Sequence, residues 1–338
     1  MSSQSAATNA AIEEVAHHRE RSVLQRMLAS QPFWVTVALL AICAVMTVYQ
    51  PAAFASADNF FNITRNFAFI GIMALGMTAV ILTGGIDLSV GSVMGMTGVV
   101  CGLVLQAGGH WATAIGATLL AGAVAGACNG ILIAYVGLPS FVVTLGMLSI
   151  ARSLAIVLSQ NKIIYQLGPY GDTFDAIGGG DFLGIANPVW LLLVMALGFG
   201  YVFNFTAWGK YLFAIGGNEN ASRLTGVPVN RIKLEAYIVS GLTAAVAAVM
   251  IVGWQGSAIN ALGTGYELRV IASTVIGGAS LIGGEGGAFG AVVGAALIEV
   301  IRNSLLMAGV DSNWQGTFVG VFICLAVLLQ KIRQRPSG

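Results

Sequence analysis

Charge is what this chain of 338 residues lacks most: Asp, Glu, Lys and Arg make up only 9% of it, whereas hydrophobic residues make up 57%. With a mean hydropathy of +0.85, the chain has too few charges to cover the surface of a water-soluble domain. Its net charge of +1 argues against a nucleic acid or another polyanion as partner, although the distribution of the charges is more informative than their sum. The composition therefore predicts a polytopic membrane protein.

Motifs for catalysis and metal binding are also missing. The chain contains no G-x-x-x-x-G-K-[ST] loop for a nucleotide triphosphate, no H-E-x-x-H and no G-x-S-x-G. Its three histidines, His17, His18 and His110, are too few for a metal cluster, and its four cysteines lie in apolar runs without metal-ligand spacing. We expect no catalytic residue, no metal and no cofactor.

The amino-terminal region imitates a cleavable secretory signal. Three arginines precede an apolar run from Phe33 to Val48, and small residues follow it. The polar region before the run is about 30 residues long, whereas a secretory signal begins with a short basic region. We therefore interpret residues 1–32 as a cytoplasmic segment and the apolar run as the first transmembrane helix.

Ten apolar runs indicate an all-α membrane domain, because a helix needs about 20 apolar residues to cross a hydrocarbon core about 30 Å thick. The third and the eighth run are rich in glycine, and the eighth looks too short to cross unaided. We predict a single transmembrane domain over residues 33–331 and a cytoplasmic tail over 332–338. The predicted crossings are 33–50, 65–84, 89–106, 112–135, 139–159, 189–206, 233–253, 267–279, 288–308 and 314–331.

The distribution of lysine and arginine orients this domain. Ten crossings place both termini and the loop 207–236 on one side, and the positive-inside rule makes that side the cytoplasm. The opposite side receives a polar segment, Gln160 to Asn187, which we predict to be an exposed loop. The basic residues on the cytoplasmic side are Arg19, Arg21, Arg26, Lys210, Arg223, Arg231, Lys233, Lys331, Arg333 and Arg335.

Two glycine-rich interruptions share a pattern. TGGIDLSVGSVMG, Thr83 to Gly95, and IGGASLIGGEGGAFG, Ile276 to Gly290, each follow an apolar run with a double glycine and a short polar stretch. Transporters are often built from repeated halves whose helices break near the transport path. The alternative is that glycine-rich junctions resemble each other by composition alone, and the sequence leaves both interpretations open.

Ionisable residues within apolar runs are functional candidates, because an unpaired charge in a membrane costs several kcal/mol. Glu299 and Arg302 are three residues apart and are predicted to form an ion pair on one helix face. Asp87 follows a double glycine, so it either caps a new helix together with Ser89 or lines a substrate pathway. The candidates in these runs are Asp87, Arg152, Glu285, Glu299 and Arg302.

One cytoplasmic segment, GGNENASRLTGVPVNRIK from Gly216 to Lys233, is polar and irregular. It predicts a short helix over Ala221 to Gly226 that Gly226 and Pro228 end. Either Asn218 or Asn220 could cap this helix, and its alanine and leucine would give it an apolar face. Such a helix either binds lipid head groups or docks on a partner protein, and its basic residues favour the lipid anchor.

Four blocks in fixed order make the chain resemble the permease subunits of ABC sugar importers of the ribose, xylose and inositol type. The resemblance runs from about Phe33 to Gln330. The blocks are NITRNFAFIGIMALGMTAVILTGGIDLSVGS (Asn62 to Ser92), CNGILIAYVGLPSFVVTLGML (Cys128 to Leu148), AIGGNENASRLTGVPVNRIK (Ala214 to Lys233) and VIGGASLIGGEGGAFGAVVGA (Val275 to Ala295).

The resemblance implies partners and a docking role for the polar segment. In this family two permease chains pair, ATP-binding subunits on the cytoplasmic side supply the power stroke, and a periplasmic binding protein delivers the sugar. The pattern N-x-x-A-x-R-L-x-G then marks the coupling helix, so a docking knob replaces the lipid anchor as the favoured interpretation. The residues implied in ATPase coupling are Asn218, Ala221, Arg223, Leu224, Gly226, Arg231 and Lys233.

The resemblance also implies candidates for the substrate pathway, although for Asn129 and Thr144 hydrogen bonds between helices are favoured over contact with the sugar. We expect an inner-membrane permease that imports a monosaccharide or polyol by alternating access, in contact with membrane lipid and paired as a homodimer. The alternatives are an ion-coupled secondary transporter, against which the few buried carboxylates speak, and a membrane-embedded enzyme, for which no catalytic cluster is visible. The pathway candidates are Asn66, Asp87, Ser89, Asn129, Phe141 and Thr144.

Overall fold

The structure is a computed structural model that describes residues 28, 30–311, 314, 316–318 and 320–321. In this part of the chain a 3-10 turn, Gly168–Tyr170, and a hairpin of β1 (Asp181–Phe182) and β2 (Ile185–Ala186) accompany the α-helices. The α-helices are α1 (Gln31–Tyr49), α2 (Pro51–Phe54), α3 (Ala57–Leu82), α4 (Val90–Gln106), α5 (Trp111–Ala134), α6 (Ser140–Leu158), α7 (Gly171–Gly179), α8 (Asn187–Phe205), α9 (Ala207–Gly217), α10 (Glu219–Leu224), α11 (Val229–Gln255), α12 (Tyr266–Ile276) and α13 (Ala288–Met307).

Some predictions fall on residues that the structure does not describe. They are the polar segment 1–32 as far as residue 27, with its arginines, most of the tenth crossing 314–331, and the tail 332–338. For the rest of the chain, the prediction of an all-α polytopic membrane protein is confirmed.

Among the residues that the structure describes, seven helices are long and apolar enough to cross a membrane: α1, α3, α5, α6, α8, α11 and α13. The apolar helix α4 is shorter, with 17 residues. Helix α12 has 11 residues and spans about 16 Å, so it is too short to cross alone, as its sequence indicated. The number of ten crossings stays a prediction.

Helices α3 and α11 form the centre of the bundle. In the most apolar stretch of 18 residues in each helix, 83% of the residues are buried in α3 and 78% in α11. The corresponding shares are only 11% in α1 and 17% in α8. The outer helices α1 and α8 expose apolar side chains, and such faces suit lipid or another protein chain. We call the two ends of the bundle the α10 end and the hairpin end, after the elements that lie there.

Glycines bring α5 and α11 into backbone contact. A Cβ atom added to Gly126 would overlap the carbonyl oxygen of Tyr237 and lie 2.8 Å from the Cα atom of Ile238. Gly122 and Gly241 approach each other in the same way one turn further along. Close packing through small residues is what holds helices together where no hydrophobic effect acts between them.

A non-helical segment between α11 and α12, residues 256–265, runs back along α4. Its Ala258 faces Gly102, and its Leu262 carbonyl faces Gly95, at 2.6 Å and 2.5 Å from the Cβ atoms that these glycines lack. We call it the re-entrant segment. These residues lie between the predicted crossings 233–253 and 267–279, and their packing along α4 was not predicted.

The segment Gln160 to Asn187 is more structured than predicted. Its helix α7 packs against α11, and Phe174 at the centre of α7 is fully buried. A Cβ atom on Gly178 would lie 2.8 Å from the backbone nitrogen of Trp254. The prediction of an exposed loop is therefore wrong for α7, because its glycines let it pack closely against the end of α11.

The glycine contact between α5 and α11 yields a prediction with a control on the same helix. Gly126→Ala places a methyl group into the backbone of α11, and overpacking of this kind costs about 1–3 kcal/mol. Gly116→Ala, at a position with nothing within 4 Å, gains about 0.5–1 kcal/mol from the helix propensity of alanine. Thermal unfolding in detergent should show a lower melting temperature for the first variant only. Equal melting temperatures would contradict the contact.

Candidate functional site: two helix breaks and an exposed helix

The first helix break separates α3 from α4 and is organised by Asp87, of which only 2% is exposed. One carboxylate oxygen accepts hydrogen bonds from the Ser89 amide at 2.9 Å and the Ser89 hydroxyl at 2.6 Å. The other accepts one from the Ser240 hydroxyl at 2.7 Å. Asp87 thus satisfies backbone at the start of α4, as a cap would, while Ser89 makes no side-chain cap bond of its own.

Three further helices converge on this break. The Asn129 amide on α5 donates to the Ser89 hydroxyl at 3.0 Å. Thr144 on α6 and Tyr237 on α11 both direct their hydroxyls to the carbonyl of Ile86, at 3.4 Å. The side-chain oxygen of Asn129 is buried without a hydrogen-bond partner. We call this group, with Asp87 and Ser240, the polar cluster.

The structure brings together four of the six predicted pathway residues. Asp87, Ser89, Asn129 and Thr144 are all at most 2% exposed, so in this conformation they are closed to solvent. Phe141 is 56% exposed and belongs to no such group. Asn66 lies on α3 about 25 Å before the break, by helical rise. Their contact with substrate stays a prediction.

Sequence reasoning missed Tyr237 and Ser240, which close the polar cluster from α11. The available signal was their spacing, because two polar residues three apart in an apolar helix share one face. An apolar run gives no indication of which neighbour that face meets.

The second break, residues 277–287, separates α12 from α13. The carbonyls of Val275 and Ile276 at the end of α12 accept hydrogen bonds from the side chain of Gln31, at 3.1 Å and 3.0 Å. Glu285, a candidate intramembrane acid, is exposed in this break, so it needs no buried partner. The Gly284 amide donates to the Leu82 carbonyl at 3.0 Å, so the two breaks meet at the α10 end. Their origin as a repeat stays a hypothesis.

Arg152 supports the re-entrant segment. Its guanidinium donates from Nη1 to the carbonyls of Asn260 and Leu262, at 3.1 Å and 2.8 Å. Non-helical backbone at membrane depth persists only where protein or water satisfies it, and Arg152 supplies that partner here. Glu267, which the sequence analysis overlooked, accepts from the Gly265 amide at 3.2 Å at the end of the same segment.

The ion pair predicted on α13 is confirmed. Arg302 donates from Nε to a Glu299 carboxylate oxygen at 2.8 Å, and a second contact joins the same two side chains. Only 2% of the Glu299 side chain is exposed. This pair is therefore structural, and it leaves neither charge unpaired.

The short helix predicted in the polar segment is α10, which begins and ends two residues earlier than expected. Asn218 is the cap, because its side-chain oxygen accepts from the Ala221 amide at 2.9 Å. Gly226, with φ of 85°, ends the turn in a conformation that glycine adopts freely. Glu219 binds both Arg223 and Lys233. Burial raises the pKa of Glu219, but hydrogen bonds and charge from these two cations outweigh it and hold the pKa below its ordinary value.

The apolar face that was predicted for α10 does not point into the protein. Ser222 is the buried residue, at 4% exposed, whereas Ala221 is exposed and Leu224 is 89% exposed. The alanine and leucine predicted to form an apolar face therefore present it outward. Arg231, beside α10, has a 72% exposed side chain and pairs with Glu235 at 2.8 Å. A braced helix with an exposed leucine and exposed cations can bind another protein.

Two cavities open at opposite ends of α6. One, of about 310 Å³, lies at the α10 end between the first break, α10 and the turn before α6. The other, of about 630 Å³, lies at the hairpin end. Both fall within the range of about 300–1,000 Å³ that is typical of small-molecule sites. Polar residues that line them are Thr83, Ser140, Glu219, Arg223, Lys233 and Tyr237 at the α10 end, and Gln106, Ser159, Gln160, Lys162, Tyr165 and Gln166 at the hairpin end.

Arg152 yields a prediction for the re-entrant segment. Arg152→Met leaves two backbone carbonyls unpaired, and the loss of charged hydrogen bonds should lower the free energy of unfolding by about 3 kcal/mol. Arg152→Lys keeps a cation but not the planar donor geometry, so an intermediate loss is expected. Thermal unfolding in detergent measures both variants. A methionine variant as stable as the wild type would contradict this role.

The chain is similar in sequence to known membrane permeases. The family described as branched-chain amino acid transport system / permease component matches residues 59–327. The ribose import permease protein RbsC of Escherichia coli is 38% identical over 299 residues, which cover 88% of this chain and 93% of that protein.

Two further relatives carry other names. The autoinducer 2 import system permease protein LsrC of Photorhabdus luminescens is 35% identical over 258 residues, 76% of this chain and 77% of that protein. The L-arabinose ABC transporter permease protein AraH of Azospirillum brasilense is 32% identical over 300 residues, 89% of this chain and 87% of that protein. The chain therefore belongs to the branched-chain amino acid transport system / permease component family.

Proposed function

We propose that this protein is the transmembrane permease subunit of a bacterial ABC importer for a monosaccharide or related polyol. The relatives support the substrate class, because two of the three reported above are named for ribose and L-arabinose. The observation that carries the coupling role is α10, an exposed helix that is braced by ion pairs and lies beside the first helix break.

The proposal includes two partners, one that hydrolyses ATP and one that delivers the sugar. An ATP-binding subunit would dock on α10 and its flanking residues, and a periplasmic binding protein would deliver the sugar at the hairpin end. We place both termini and α10 in the cytoplasm and the protein in the inner membrane, by the positive-inside rule. The sparsely buried helices α1 and α8 would face lipid or a second copy of the chain in a homodimer.

The proposed mechanism is alternating access. The two cavities lie at opposite ends of α6, and the buried polar cluster lies beside α6 between them. ATP binding in the partner would move α10 and open the cluster toward one end at a time. Amides and hydroxyls such as those of Asn129 and Ser89 would then become available to the hydroxyl groups of a sugar.

A test of the docking role uses the exposed leucine of α10. Leu224→Asp should weaken co-purification with the ATP-binding subunit about tenfold or more, because it buries an unpaired carboxylate in an apolar contact and a loss of about 1.4 kcal/mol is already tenfold in affinity. The melting temperature of the permease alone should not change, because Leu224 is 89% exposed.

A matched control for that test lies at the hairpin end. Leu183 is 78% exposed in the turn between β1 and β2, so Leu183→Asp adds the same charge at a similarly exposed leucine. This variant should co-purify with the ATP-binding subunit like the wild type. Equal assembly of the two aspartate variants would remove α10 from the docking surface.

The energy source and the substrate are tested in liposomes that contain the permease, its ATP-binding subunit and its binding protein. Sugar uptake should require ATP and should persist with an ionophore, because few acids are available for ion coupling. Among ribose, xylose, arabinose and inositol, the transported sugar should be the one that raises the melting temperature of the binding protein. Uptake that an ionophore abolishes would favour the ion-coupled alternative.

A further inference from the structure

Backbone from three separate segments meets at one point at the α10 end. The first is Gly84 in the first helix break, the second is Gly216 in the last turn of α9, and the third is Gly283 with Gly284 in the second break. We call these four residues the glycine junction. No side chain separates the three segments there, because none of the four residues has one.

The contacts within the junction are tight on every side. A Cβ atom added to Gly216 would overlap the carbonyl oxygen of Leu82 and the amide nitrogen of Gly284, and would lie 2.8 Å from the carbonyl carbon of Gly283. A Cβ atom added to Gly283 would lie 2.8 Å from the Cα atom of Gly216 and 2.9 Å from the nitrogen of Gly84. Distances below 3.0 Å leave no room for even a methyl group.

The junction is joined to α10 by continuous hydrogen bonding. Gly216 lies two residues before Asn218, the residue that caps α10. The Asn218 amide donates to the Ala214 carbonyl on α9, and the Ser222 amide on α10 donates to the Asn218 carbonyl, both at 3.0 Å. The end of α9 and the start of α10 therefore move together.

The junction is joined to both breaks as well. The hydrogen bond from the Gly284 amide to the carbonyl of Leu82, the last residue of α3, ties the second break to the first. A displacement of Gly216 would therefore push against Gly283 and Gly284, in the segment that leads into α13. Through Gly283 it would also push against Gly84, three residues before Asp87. Close-packed contacts transmit such displacements because they cannot absorb them by compression.

We propose that the glycine junction carries the movement of α10 into the two broken helices, with Gly216 as the positioning residue that makes this contact direct. The proposal rests on the proposed function, in which a partner ATPase moves α10. It assigns to the four glycines a part in transport that is distinct from docking and from substrate contact.

The chain offers a matched pair of variants for the test. Gly216→Ala inserts a methyl group into the junction, whereas Gly217→Ala, at the next residue of the same helix, meets nothing within 4 Å. Each permease variant is assembled with its ATP-binding subunit and binding protein in liposomes. Co-purification, ATP hydrolysis and sugar uptake are then measured on the same preparation.

The expected result for Gly216→Ala is normal co-purification and ATP hydrolysis, with sugar uptake per ATP lowered about tenfold, because small shifts in bistable packed elements have large effects on their equilibrium. Gly217→Ala should match the wild type in all three measurements. Normal uptake per ATP in Gly216→Ala would overturn the proposal. Loss of co-purification in Leu224→Asp is a separate measurement, so a failure of docking and a failure of the junction are distinguishable.

A second variant covers the case in which Gly216→Ala does not assemble. Gly284→Ala approaches the same contact from the second break, with its added Cβ atom 3.1 Å from the nitrogen of Gly217 and 3.3 Å from the carbonyl carbon of Gly216. Its contacts are longer than those at Gly216, although alanine at Gly284 also has to adopt a strained φ of 74°. The variant should also lower uptake per ATP while assembly is kept. If it leaves uptake per ATP unchanged in an assembled complex, the proposal is overturned.

Discussion

Every backbone amide and carbonyl that leaves a helix inside a membrane needs a partner from the protein, and the architecture of this chain depends on that requirement. The chain interrupts its helices twice and adds a re-entrant segment. Asp87 pairs with the backbone at the start of α4, Gln31 with the end of α12, and Arg152 with the re-entrant segment. A chain with so few polar residues thus places several of them where helical hydrogen bonding stops.

Glycine residues satisfy the same requirement as these polar side chains by a different route. It allows backbones to touch, as in the contact of Gly126 with α11, and it adopts the left-handed conformations of the second break, as at Gly283. Both properties serve the same end, which is to bring irregular backbone close enough to other backbone to be satisfied. The composition of the chain, with 45 glycines, reflects this demand.

Sequence reasoning succeeded where a feature is local. The sequence predicted an asparagine cap for α10 and its end at Gly226, and the structure chose Asn218 as the cap. The ion pair of Glu299 with Arg302 follows from helical spacing. It failed where a feature joins distant segments. The role of Arg152 depends on backbone more than 100 residues away, and Ser240 meets Asp87 from another helix. No pattern within an apolar run specifies which run lies beside it.

The sequence by itself determined that this protein lies in a membrane, that its helices break at two glycine-rich stretches, and that a short capped helix follows Gly217. These properties follow from hydropathy, from the conformational freedom of glycine and from the hydrogen bonds of a cap, all of which act within a few residues. Only the tertiary structure decided that the two breaks meet, that Gly216 lies between them, and that a non-helical segment packs along α4. Those contacts depend on how whole helices pack, because each joins backbone groups that are far apart in the chain.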